Sequence, residues 1–394
     1  MSGVFYLAFR HIAYHRLRST TLVLVMTTLM AIPLLAEVLS RAAETRMMAR
    51  AQATPLVYGA AGAPLDLTLA AAYFRGDIET PISMQDYDWL LATRQADLAP
   101  IHLAGAARGF PIIGTDIEYF RLRGLTPAVG RLPVRVGEVA IGAQVADALG
   151  ITAGQEIVSD VSQVFDLAGA YPVGMTVSGV LAPTGTPDDN AVLTDLNTGW
   201  IVTGIGHGHQ ELTAQTDNAL LLKSREDGTL TANASLPTYE KISAEQLADI
   251  HFHGDPAVFP LSAVIAFPFD EKATALLRGR VSDREAPVQI VRASDQIRGL
   301  MDNVFQVKLV LQRVMLVVSA AALLAIALIV WLSVQMRSQE FAIAQRLGAG
   351  RTLPALLVGG ELLILFATAL LLSLLIVWGT SLFEDRLGLF WFGR

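Results

Sequence analysis

The chain has 394 residues, 53% of them hydrophobic and only 16% charged, and its mean hydropathy is +0.47. That balance is too apolar for an ordinary water-soluble protein, and the length exceeds what membrane spans alone would use, so a large extramembrane domain is required. A net charge of −7 argues against nucleic acid as a partner, and zero cysteines exclude disulfides, thiolate metal sites and cysteine nucleophiles.

Residues 1–18 read as a cytoplasmic or interfacial amphipathic helix. Arg10, His11, His15, Arg16 and Arg18 are interleaved with Phe5, Leu7, Ala8, Ile12 and Leu17, a pattern suited to the headgroup layer of an anionic membrane. Residues 19–40 form a first span, with Pro33 inside it and Glu37 close to its far end. A cleaved signal peptide has the same basic-then-apolar order, but this run is long and no clear small-x-small site separates it from Glu37, so the span is expected to stay. Arg10, Arg16 and Arg18, like Arg337, Arg346 and Arg351 much later, favour the cytoplasm. Arg41, Arg46 and Arg50 on the other side weaken that bias. Long domains translocate largely regardless of charge, so residues 41–308 are expected outside the cytoplasm.

That outer region reads as an α+β domain. Met84 to Thr93 has a helical pattern, Val139-Ala140-Ile141 reads as a strand, and Ala143 to Leu149 as a helix stopped by Gly150. Val158 to Phe165 and Gly174 to Leu181 look extended, and Ser262 to Phe267 followed by Asp270 to Arg280 reads as a strand and then a helix. Two histidine pairs stand out, His207-Gly208-His209 and His251-Phe252-His253, with Asp255 close behind the second. On a strand, residues i and i+2 share a face, so each pair could offer two imidazoles to zinc, copper or nickel, with Asp255 as an oxygen ligand. The flanking Gly and Asp residues equally suit solvated loop histidines. His102 reads as a satisfied strand residue. No G-x-S-x-G elbow, H-E-x-x-H or G-x-x-x-x-G-K-[ST] occurs, and adjacent Asp188 and Asp189 would diverge rather than pair as acid and base. The reading is therefore of a non-enzyme, and any ATP is hydrolysed by another chain.

Residues 309–335 and 353–378 are the second and third spans, each long enough for about 30 Å of hydrocarbon. Between them, residues 336–352 form one charged connector. Its Phe341, Ala344 and Leu347 recur at helical spacing, Arg337, Glu340 and Arg346 supply charge, and Gly348 closes the helix. Such a helix either lies among headgroups or docks a soluble partner. Glu361, in the third span, is the acid nearest lipid besides Glu37.

The connector, followed by Leu357-Val358-Gly359-Gly360-Glu361, resembles the MacB/FtsX/LolCE permeases, where a cytoplasmic coupling helix ends in Leu-Gly-Ala. Tyr119-Phe120-Arg121-Leu122-Arg123-Gly124-Leu125, Gly137 to Gly142 and Val180 to Ala191 are similar to the periplasmic core domain of MacB-type permeases, whereas residues 200–258 match least and read as a variable subdomain. The Arg-rich stretch leading into the first span matches too. After Trp378 the chain departs from the family: residues 379–394 form a short tail where the family has a fourth span, which leaves a three-span variant or a shortened chain as alternatives.

The resemblance implies the permease subunit of an ATP-binding-cassette system in a bacterial inner membrane. It would be multi-pass and paired with a second copy, and it would receive an ABC ATPase at Arg337, Glu340, Phe341, Ala344, Arg346, Leu347 and Gly348. Glu361, where the family also has an acid, would link that helix to the third span. Conformational work in the periplasm on lipoprotein, peptide or small-molecule cargo, or on a periplasmic partner protein, would follow. Two other readings stay open: a zinc-linked permease using the histidine pairs, and a membrane-anchored binding or signalling protein without ATP coupling.

Overall fold

The computed structural model describes residues 2–76, 78–160, 172–208, 221–224, 230–232, 240–241, 250–252, 254–348, 350 and 352–382. In chain order its helices are α1 (Ser2–Tyr14), α2 (Arg16–Gln52), α3 (Pro64–Tyr73), α4 (Met84–Ala92), α5 (Ile117–Arg123), α6 (Ala143–Leu149), α7 (Leu196–Val202), α8 (Glu271–Ser282), α9 (Ala293–Met336), α10 (Ser338–Arg346) and α11 (Leu353–Leu382). Met1–Thr45 with Met301–Gly388 make one compact unit, and Arg46–Leu300 make most of the other.

Among the described residues, three helical stretches are long and apolar enough to cross a membrane: Arg16–Gln52, Gln312–Met336 and Leu353–Thr380. Their packing buries only a thin core, in which Leu22, Ile326 and Leu365 are surrounded by Ile12, Val23, Met26, Leu29 and Val330. Most of the remaining apolar surface faces outward, including Leu316, Leu324, Trp331, Leu371 and Trp378. An outward apolar surface of that extent is stable in hydrocarbon and not in water. At 37 residues α2 is longer than the hydrocarbon is thick, so part of it extends past the lipid.

The second unit is α+β. Its main sheet has eleven strands among the described residues. Across it, from one edge, run Glu240–Lys241, Val173–Leu181, Glu138–Ile141, Val192–Asp195, Phe110–Thr115, Ala96–Ala107, Ala263–Pro268, Leu56–Ala60 and Val288–Val291. Pro127–Gly130 and Glu156–Val158 also pair with Val173–Leu181. The sheet is mixed: Phe110–Thr115 runs parallel to Val192–Asp195 but antiparallel to Ala96–Ala107. Two cores fill it. One gathers Ile112, Val139, Ile141, Met175, Val177 and Val192, and the other Leu56, Tyr58, Leu90, Leu98, Val264 and Leu277.

Local chemistry sets the helix ends. Ser83 and Asp86 form a reciprocal capping box on α4, Asp116, Asp195 and Asp270 cap α5, α7 and α8, and the left-handed residues Gly124 and Gly150 end α5 and α6. The expected helices at 84–93, 143–149 and 270–280 are present, as are the strands at 139–141, 174–181 and 262–267. Of the extended stretch expected at 158–165, Val158 ends the strand Glu156–Val158 and residues 161–165 lie outside the described residues.

Candidate functional site

In the membrane unit, one acid gathers cations from several helices. Glu361 on α11 is only 6% exposed. Arg18 on α2 donates to its Oε1, His11 Nδ1 on α1 lies 3.1 Å from its Oε2, and an Arg337 guanidinium nitrogen lies 3.9 Å from the same oxygen. A carboxylate taken out of water at a span is costly unless paired, and here it ties α1, α2 and the end of α9 to α11. Burial lowers the His11 imidazole below its usual value although Glu361 pulls the other way. Arg18, which donates directly to the carboxylate, is its closest cation. Helix α1 seats on α11 beside Gly360, where an added Cβ would lie 3.6 Å from Ala8. His11 thus sits in an ion cluster rather than free among headgroups, while Phe5, Tyr6, Leu7 and Phe9 of α1 stay exposed.

Arg337 stands at the break between α9 and α10. On α10, Glu340, Phe341 and Ala344 have their backbone in the helix and their side chains outside the described residues. Arg346 is the last residue of the helix, and Gly348 follows with φ +97°, a conformation that favours glycine. Ile343 and Leu347, one turn apart, are 58% and 84% exposed. Two large apolar side chains, one on this nine-residue helix and one just past its end, are held in the open between two spans and form a surface that could take a partner.

The α+β unit has a different centre. Arg50 is buried; its Nε donates to the Ala72 carbonyl at 2.8 Å and its terminal nitrogens to Asp188 Oδ2 at 2.6 Å, to Asp188 Oδ1 at 3.1 Å and to the Tyr119 hydroxyl at 3.0 Å. Tyr119 in turn donates to Asp188, as does Thr186 at 2.8 Å. Burial alone would raise the Asp188 carboxyl, but Arg50 and Tyr119 hold it below the usual carboxylate range. Asp189 turns the other way, accepting from the Thr184 amide at 2.8 Å and the Gly185 amide at 2.7 Å. The two aspartates do diverge as the sequence suggests. Asp188 is fully engaged and shut away from solvent, an arrangement that anchors the turn Pro187–Asn190 rather than one that moves protons.

The family profile described as MacB-like periplasmic core domain matches residues 21–234, more than half of the chain. The chain belongs to the MacB-like periplasmic core domain family. Among solved structures, the periplasmic region of MacB from Actinobacillus actinomycetemcomitans is similar at 11% identity and a TM-score of 0.34, over 64% of this chain and 93% of that one. No curated protein matches this chain. The family match begins in the first span and ends at residue 234, inside the stretch 200–258. This MacB-like chain is thus a multi-pass membrane protein of the permease type, as its resemblance to MacB/FtsX-type permeases implies.

Of the histidines that drew attention in the sequence, the structure brings two together. The antiparallel strands Gly206–Gly208 and Ile250–Phe252 pair with His207 directly opposite His251. His209 and His253 lie outside the described residues. Asp255 caps the short 3-10 turn Pro256–Val258, accepting from the Ala257 amide at 3.0 Å. No group of three histidine, aspartate or glutamate side chains gathers for a metal among the described residues. His102 is buried on its strand with Nε2 3.3 Å from the Thr203 hydroxyl.

Sequence reasoning passed over Arg50 and Arg18, which it treated as charges that set topology. The one local signal for Arg50 was its place at the polar end of a helix too long for the lipid. Nothing local pointed to Asp188 as its partner, 138 residues away.

Proposed function

We propose that this chain is the membrane subunit of a MacB/FtsX-type ATP-binding-cassette system in a bacterial inner membrane. It carries no nucleotide site in its sequence, so a separate ABC ATPase supplies the hydrolysis and this subunit is non-catalytic. The observation that carries the reading is the family match over residues 21–234 joined to a short helix, α10, that stands between two spans with Ile343 and Leu347 exposed. The ATPase docks on α10 through Phe341, Ala344 and Leu347, with Glu340, Arg346 and Gly348 setting its rim and its end. Arg337 and Glu361 then connect that helix to the bundle, since the two lie within ion-pair reach. Two copies of the chain pair, each with one ATPase, and the outer domains do work on lipoprotein, peptide or small-molecule cargo or on a periplasmic partner.

The test replaces Phe341 and Leu347 together by Asp. Two carboxylates placed in an apolar contact should abolish co-purification of a MacB-type ATPase expressed together with this chain, because each would be desolvated without a partner. Undiminished co-purification would remove the docking assignment and leave the membrane-anchored binding or signalling reading in its place.

A further inference from the structure

We propose that the membrane unit holds one anionic phospholipid, with an acyl chain in the groove between α2, α9 and α11 and the phosphate at Arg18 and Arg337. The groove has a volume of about 590 Å³ and is open along one side. Met26 of α2, Ile326, Val330 and Trp331 of α9, and Leu362 and Phe366 of α11 line it, and among the described residues no charged side chain does.

An apolar trough of this kind suits hydrocarbon and another helix equally well, so the end of the groove decides between them. A second, smaller cavity of about 20 Å³ shares Val330 and Leu362 with the groove and is lined in addition by Arg18, Arg337 and Glu361. The trough thus runs into a charged end, which matches a molecule with a hydrocarbon chain and an ionic head. The small cavity holds little more than a water molecule. The phosphate therefore takes its rim, where the Arg18 and Arg337 side chains keep 30% and 20% exposure.

Charge sets the sign of that head. The parts of the chain that reach this end of the bundle, residues 1–18 and 335–361, carry six arginines, two glutamates and no lysine or aspartate. Arg18 donates to Glu361, and Arg337 lies 3.9 Å from the same carboxylate. A guanidinium presents five N–H donors in a planar fork, enough to serve a carboxylate and a phosphate together. Basic pockets between membrane helices bind anionic headgroups in this way. A zwitterionic head would bring its own cation against the arginines, and an apolar helix of a second copy would supply no anion. A lipid seated here braces α2, α9 and α11 at the end of the bundle where α10 begins. The inference rests on the three spans lying in lipid and not on ATPase docking, so either assignment can fail alone.

Native mass spectrometry of the full-length chain, released from detergent after addition of dioleoyl-phosphatidylglycerol or dioleoyl-phosphatidylcholine, tests it. The expected result is one phosphatidylglycerol retained per chain, preferred about fivefold or more over phosphatidylcholine, since one arginine near an anionic headgroup is worth about a factor of five. Arg337→Gln should lower that preference about fivefold. Ala327→Trp fills the groove from an exposed position and leaves the charge unchanged, so it should cut retention of phosphatidylglycerol while the thermal midpoint in lipid-free detergent matches the parent. Arg16→Gln removes an exposed arginine outside both cavities and should leave retention as it was. Inorganic phosphate should not displace the lipid, because it has no chain to occupy the groove. Equal retention of the two lipids, displacement by inorganic phosphate, or retention unchanged in Ala327→Trp would overturn the proposal. Loss of a dimer in Ala327→Trp with lipid retention unchanged would give the groove to a second copy instead.

Discussion

His102 shows how a single side chain can set a pH limit on the α+β domain. Burial pushes its imidazole down to about 4. The Thr203 hydroxyl donates to the Gly199 carbonyl at 3.2 Å, so its oxygen is left to accept from Nε2, and Nδ1 has no hydrogen-bond partner. A proton added at Nδ1 would bury a donor with nothing to accept it. In the unfolded chain the same ring titrates at about 6.5. Between these two values the unfolded state binds a proton that the folded state refuses, so the contribution of His102 is complete above about 6.5 and is lost as pH falls toward 4. The full loss amounts to about 3 kcal/mol. Urea unfolding of the full chain followed by tryptophan fluorescence should show the midpoint falling between pH 7 and 4.5. In His102→Gln that slope should flatten, whereas an unchanged slope would assign the dependence elsewhere.

The Arg50–Asp188 pair belongs to the same scale. Removing one partner of a buried ion pair typically costs about 3–5 kcal/mol, because the other charge is left without compensation. That cost explains why Tyr119 and Thr186 are also recruited to the carboxylate.

Among elements, the contact between α6 and the turn Pro187–Asn190 decides where Asp188 stands. The Gly142 amide donates to the Ala191 carbonyl at 2.9 Å, and an added Cβ at Gly142 would lie 2.2 Å from the Asp189 carbonyl oxygen and 2.4 Å from that of Asp188. The φ of Gly142 is an ordinary −64°, so glycine is required by the closeness of the backbone and not by conformation. Both obstructing atoms are main chain, so they can move only if the turn moves. Gly142→Ala should therefore destabilise the α+β domain by about 1–3 kcal/mol, the usual range for overpacking, and lower the thermal midpoint of the full chain. An unchanged midpoint would mean that the turn yields freely.

Under the proposed permease reading, the chain crosses lipid three times, with residues 41–308 on the far side from the connector 336–352. Because it has no cysteine, single introduced thiols report their side without background. Glu118→Cys on exposed α5 should react with a membrane-impermeant maleimide in intact spheroplasts, and Arg346→Cys on α10 only after permeabilisation. Equal labelling of both before permeabilisation would overturn the topology, and with it the ATPase docking surface.

What the sequence determined alone was whatever depends on neighbours in the chain. Three apolar runs, the connector closed by Gly348, the α4, α6 and α8 helices and the strands at 139–141, 174–181 and 262–267 were all legible, because hydropathy, periodicity and capping act over a few residues. Tertiary structure decided which charges meet. Arg18 reaches Glu361 across 343 residues and Arg50 reaches Asp188 across 138, and no local pattern encodes a partner so far away. The facing of His207 with His251 is of the same kind, since strand register is settled by which side of the ribbon the core requires, here the side that Phe252 fills.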